Sequence, residues 1–121
     1  MSAVAAALLA TASLTAVVAS PAHAAVNCNE PANKPNGEGE GWYVRSGTVK
    51  SGPYGACRNV KSMSYGDSFY LHCMWVNSYG NTWWYVRLIG TSTYGWVYDS
   101  DVYISGYDDA GDGTWEPKAC G

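Results

Sequence analysis

Phe69-Tyr70-Leu71-His72-Cys73-Met74-Trp75-Val76 and Thr82-Trp83-Trp84-Tyr85-Val86-Arg87-Leu88-Ile89 flank the polar pentapeptide Asn77-Ser78-Tyr79-Gly80-Asn81. Both flanks are rich in aromatic and β-branched residues, which fit a pleated surface, and the spacer carries the Asn and Gly that tight turns demand. The stretch therefore reads as a β-hairpin. Working outward, Trp42 to Val49 is a first strand-like run, closed by the breaker Ser51-Gly52-Pro53. Val60 to Met63 is a short run before the turn Tyr65-Gly66-Asp67. Gly90 to Gly95 connects to Trp96-Val97-Tyr98, and Val102-Tyr103-Ile104 closes the series. No helical periodicity of useful length follows residue 24. Five or six short antiparallel strands in so short a span predict an all-β domain, a small barrel or sandwich.

The ends of the chain read differently. Residues 1–24 hold no Lys, Arg, Asp or Glu, and end in Ser20-Pro21-Ala22-His23-Ala24 before Ala25. An apolar Ala-rich stretch followed by an A-x-A site is the pattern of a signal peptide, and it is short and dilute for a bilayer span. Export to the extracellular space or the cell wall is the expectation. Residues 25–41 are rich in Asn, Pro, Gly and Glu and read as a polar N-terminal tail. Residues 42–104 form the domain, and residues 105–121 an acidic C-terminal tail.

Cysteine usage agrees with export. Cys28, Cys57, Cys73 and Cys120 are an even set in a small domain that needs covalent bracing. Their wide spacing lacks the C-x-x-C pairs of a zinc site. Three connectivities are open; Cys57–Cys73 and Cys28–Cys120 are the favoured pairs, the first joining neighbouring strands and the second tying the two tails.

Composition narrows function. A net charge of −3 and a pI near 5.1 argue against a nucleic-acid binder that works by neutralising phosphates. Beyond the leader the chain has one histidine, His72, flanked in a strand by Tyr70 and Met74, where a half-exposed cross-strand role is expected. Asp99 and Asp101 have the i, i+2 spacing of a carboxylate pair, but sit beside Ser100 in a turn, where Asp serves the backbone. Asp108-Asp109-Ala110-Gly111-Asp112-Gly113 departs from a calcium loop at position 3, which is Ala110, and at position 12, which is Ala119. No nucleophile–base pair emerges, so the expectation is a protein that is not an enzyme and needs no metal or cofactor.

The aromatics carry the strongest signal. Trp84, Val86 and Leu88 share one face of their strand and form the better core face; Trp83, Tyr85 and Arg87 share the other, leaving Trp83 at least partly exposed. Several short stretches then resemble a known family. Val49-Lys50-Ser51-Gly52-Pro53 resembles the Val-Arg-Ser-Gly-Pro signature near the start of bacterial Src-homology-3-like (SH3b-type) domains. Trp83-Trp84-Tyr85-Val86 resembles their later Trp-x-x-Val element, Gly95-Trp96-Val97 their Gly-Tyr/Trp-Val strand, and Asp101-Val102 their closing turn. The pieces come in family order across about residues 42–104, and the extra cysteines are similar to small exported actinobacterial forms. The resemblance implies an SH3-like barrel with an aromatic groove, here Tyr54, Tyr79 and Trp83, that recognises cell-wall peptide or peptidoglycan. An exported inhibitor of a protease or glycosidase, acting on a secreted protein partner, is the alternative.

Overall fold

The computed structural model describes residues 25–106, 111, 113, 115 and 117–121. The leader and Asp108, Asp109 and Asp112 of the acidic loop lie outside the described residues. Seven strands follow in order: β1 (Glu40–Tyr43), β2 (Gly47–Lys50), β3 (Asn59–Met63), β4 (Ser68–Val76), β5 (Thr82–Leu88), β6 (Tyr94–Tyr98) and β7 (Val102–Ser105). One turn of 3₁₀-helix, Asp99–Asp101, joins the last two. The expected all-β, disulfide-braced architecture is present, with seven strands in place of five or six. The run from Trp42 divides because Val44 leaves β1 to donate its amide to the Asp101 carbonyl at 3.0 Å.

All strands pair antiparallel in a single sheet of order β3-β2-β6-β5-β4-β1-β7. Laid flat, six inter-strand gaps would separate its edges by about 29 Å. Yet Met63 of β3 belongs to the same apolar core as Tyr43, Phe69, Leu71, Trp84, Val86 and Val97, and Ile104 of β7 packs on that core. The sheet is therefore rolled into a half-open barrel whose inner face is the core. Its tightness shows at Gly95 in β6, where any Cβ would collide with Val49 of β2.

The hairpin read from the sequence is built as its residues dictate. Asn77 is buried, its side-chain oxygen accepting the amides of Tyr79 and Asn81, each at 3.0 Å, and Gly80 supplies the positive φ of 83°. The Asn77 side-chain amide also donates to the Pro53 carbonyl at 2.7 Å, which fixes the 51–57 loop against this turn.

One irregularity reorganises the faces of β4. Leu71 pairs with Val86 and Cys73 with Tyr85, so His72 is an extra residue in a β-bulge. Simple alternation would put Phe69, Leu71, Cys73 and Trp75 on one face. The bulge instead leaves Phe69 and Leu71 facing the core and turns Cys73 and Trp75 to the outside, where they join Trp83 and Trp96 in a second buried cluster.

The disulfides differ from the favoured pairs: they are Cys28–Cys57 and Cys73–Cys120. Cys57 sits in the 51–57 loop, not on a strand beside Cys73, and that loop meets the N-terminal segment. A Cβ on Gly52 would strike the Cys28 backbone. The bulge aims Cys73 outward, toward the C-terminal segment, which lies along β4 through Met74 N to Lys118 O and Cys120 N to Met74 O, both 2.8 Å. Residues on either side of the barrel thus pack on it: Gly37 donates to the His72 carbonyl at 2.6 Å, and Gly121 abuts the Trp75 indole.

Candidate functional site

Trp83 and Trp84 take opposite faces of β5, as the alternation requires, and both are buried. Trp84 is in the inner core, and its indole N–H donates to the Asp99 carboxylate at 2.8 Å. That contact gives Asp99 a structural use and leaves no free carboxylate pair in the 99–101 turn. Trp83 faces outward but is only 5% exposed, which corrects the expectation of an exposed ring. The outer face is roofed by its own aromatic cluster, with Trp96, the Cys73–Cys120 bridge and partly buried Trp75, Tyr85 and Tyr98. The Trp83 indole N–H is buried without a hydrogen-bond partner among the described residues.

A cleft of about 350 Å³ opens at the margin of this cluster. Trp83 and Tyr98 form its aromatic wall, with ring centroids 5.0 Å apart and planes tilted by 46°. Thr48 and Lys50 of β2 and Asp101 of the 3₁₀ turn line the other side, and Gly55 and Asn81 close it from two loops. Lys50 is held toward β3 by Asn59 Oδ1 at 2.5 Å. Lys50, Asp101, Asn81 and Thr48 therefore line the same cleft as the two rings, with the Lys50 ammonium engaged at Asn59.

The three residues expected to form the groove are placed unequally. Tyr54 is 1% exposed; its hydroxyl hydrogen-bonds Glu30 and lies 2.8 Å from the Ser78 hydroxyl. Tyr79 is exposed and meets Tyr54 edge-on at 5.6 Å. Their loops meet and reach the cleft through Gly55 and Asn81, but only Trp83 of the three lines it. The sequence reading missed Tyr98 as its companion. The signal was present, because Tyr98 pairs with Trp83 across β5 and β6. Finding it needed the strand register, which no single segment carries.

His72 lies apart from this cleft, packed edge-on against Tyr85 at 5.7 Å and Tyr94 at 5.3 Å. Burial, with the Arg87 charge adding, holds its pKa below the usual imidazole range. No helix among the described residues is long and apolar enough to cross a membrane, and no group of three or more His, Cys, Asp or Glu among them is placed to hold a metal ion.

No family model, curated protein or solved structure matches this chain.

Proposed function

We propose that this protein is an exported, non-catalytic binding module that recognises cell-wall peptide or peptidoglycan in the Trp83–Tyr98 cleft. The observation that carries the reading is the composition of that cleft: two rings flanked by the opposite charges of Lys50 and Asp101. A peptide bearing both carboxylates and amines meets a complementary group at each end, while the rings supply rigid apolar contact. Two disulfides in a small domain fit an oxidising compartment. The order of motifs resembling bacterial SH3-like domains points the same way.

Co-sedimentation with purified cell walls tests this. The wild-type protein should pellet with walls, and Lys50→Gln and Tyr98→Ala should each weaken binding about tenfold, as loss of an anchor in a groove does. Melting curves check that both variants remain folded. If the wild-type protein stays in the supernatant, or both variants pellet like wild type, the wall-binding reading is wrong.

A further inference from the structure

The outer face of the sheet carries a second surface, independent of the Trp83 cleft. The register lines up Tyr94 of β6, Arg87 of β5 and Tyr70 of β4 across three strands. The His72 bulge brings the imidazole beside Tyr94, and the Arg87 guanidinium lies 4.9 Å over the Tyr70 ring. These four side chains line a cleft of about 460 Å³ that is open to solvent. A second cleft of about 310 Å³ adjoins it across Tyr94, where Lys34 and Arg58 stand beside Tyr85 and Trp96. Lys34 sits 5.3 Å over the Tyr85 ring, which stacks on Tyr94.

Three features of this surface point to one kind of occupant. Charge is the first. The chain has ten acidic residues and seven Lys and Arg, yet three of the seven line these two clefts and, among the described residues, no carboxylate does. Glu40 pairs with Tyr70 from the next strand and marks the boundary of the surface. The second is unspent hydrogen-bonding capacity. Among the described residues none hydrogen-bonds the side chains of Tyr70, His72 or Tyr94, and Arg87 gives them one N–H, to the Thr91 carbonyl at 3.2 Å. The third is the kind of ring. Tyrosine and histidine present an apolar face and a polar tip together, which suits a partner whose own faces are C–H and whose rim is hydroxyl.

We propose that this face binds an acidic oligosaccharide, a chain of pyranose units bearing carboxylates. One carboxylate takes the Arg87 fork bidentately, its ring lies against Tyr94, and the next unit's carboxylate meets Lys34 or Arg58. Tyr85 and Tyr94 stack on each other and His72 meets both edge-on, so their faces are partly spent within the cluster and are not the open stacking platforms that single-stranded nucleic acid requires.

The test is calorimetric titration of the whole protein with a galacturonate oligomer of several units. The controls are the same oligomer with its carboxylates methyl-esterified, poly-glutamate, a phosphate-bearing polyol polymer and oligo-deoxythymidine. The acidic oligomer should bind, and esterification should weaken it at least about tenfold. Arg87→Gln and Tyr94→Ala should each do the same, while Lys61→Gln, at an exposed position of β3 outside both clefts, should not. Melting curves identify a variant that fails to fold, and the ester comparison on the wild-type protein then decides alone. Equal binding of the ester, equal binding of any of the three other polymers, or no binding of the acidic oligomer overturns the proposal. Loss of wall binding by Lys50→Gln with oligomer binding intact separates this face from the Trp83 cleft.

Discussion

Replacing each tryptophan of the pair on β5 by phenylalanine should have opposite consequences. Each exchange gives up roughly 40 Å² of buried apolar surface, about 1 kcal/mol. At position 83 the exchange also removes an indole N–H that is buried with no partner among the described residues. An unsatisfied buried donor costs about 1–3 kcal/mol, so its removal offsets or exceeds the packing loss. Trp83→Phe should therefore lie between neutral and about 2 kcal/mol more stable than wild type. At position 84 the N–H donates to Asp99. Losing that charge-assisted bond adds about 1–2 kcal/mol to the packing term, making Trp84→Phe about 2–3 kcal/mol less stable. Urea unfolding of the oxidised proteins measures both, provided the slope is unchanged between them. If Trp83→Phe costs as much as Trp84→Phe, the Trp83 N–H has a partner, and the reading of an unsatisfied indole is refuted.

Two further outcomes are expected. Non-reducing peptide mapping should recover Cys28 joined to Cys57 and Cys73 joined to Cys120, and a Cys57–Cys73 peptide would overturn the arrangement of both terminal segments. On the loop-closure model, with separations of 29 and 47 residues, removing these bridges as paired Ser variants should cost about 3.5 and 4 kcal/mol. For His72, burial first and Arg87 second hold the folded pKa down, so the unfolded chain takes up its proton earlier as pH falls. Its contribution to stability is complete above the unfolded value near 6.5 and is lost as pH falls from there through the lower folded pKa. Imidazole titration followed by NMR should show a midpoint below 6.5, raised but not fully restored by Arg87→Gln; a midpoint at or above 6.5 in wild type would contradict the packing described for this ring.

Strand positions were legible because each rests on local chemistry. The Asn77–Asn81 turn declares itself by residues that must cap, turn and take a positive φ. The inward set Trp84, Val86 and Leu88 follows from a period of two. What alternation could not supply was the extra residue in β4. A bulge leaves no mark in composition, yet it moves Cys73 and Trp75 to the opposite face and so decides where Cys73 finds its partner. The exposure of Trp83 was misjudged for a related reason. Its outward direction was right, but the segment that roofs its cluster comes from Cys120, 37 residues further along the chain. Polar, Gly-rich termini look unable to order themselves, and here two bridges and backbone bonds to β4 order them. The Lys50–Asp101 half of the cleft stayed hidden because it depends on how β2 and the 3₁₀ turn approach across the roll of the sheet.

A single sheet this small has one enclosed side, and in this protein the side facing away from the core is also built of large rings. The inner layer uses Tyr43, Phe69, Trp84 and aliphatic residues to fill the barrel. The outer layer uses Trp75, Trp83, Tyr85, Trp96 and Tyr98, and both bridges lie over or beside that layer. Stability alone does not require rings there, since alternating polar residues would serve a solvated face of an antiparallel sheet. The hydroxyls of Tyr70 and Tyr94 take no hydrogen bond among the described residues, so their polar tips are not needed to tie one strand to another. They are placed instead by backbone register on a rigid scaffold, with Arg87 between them. That arrangement lowers the ordering cost of any ligand contact, because the groups are fixed before the ligand arrives. The N-terminal segment then acts as a wall: Cys28, Asn29, Lys34 and Asn36 line the two outer-face clefts beside Tyr94, and the Cys28–Cys57 bridge holds that wall in place.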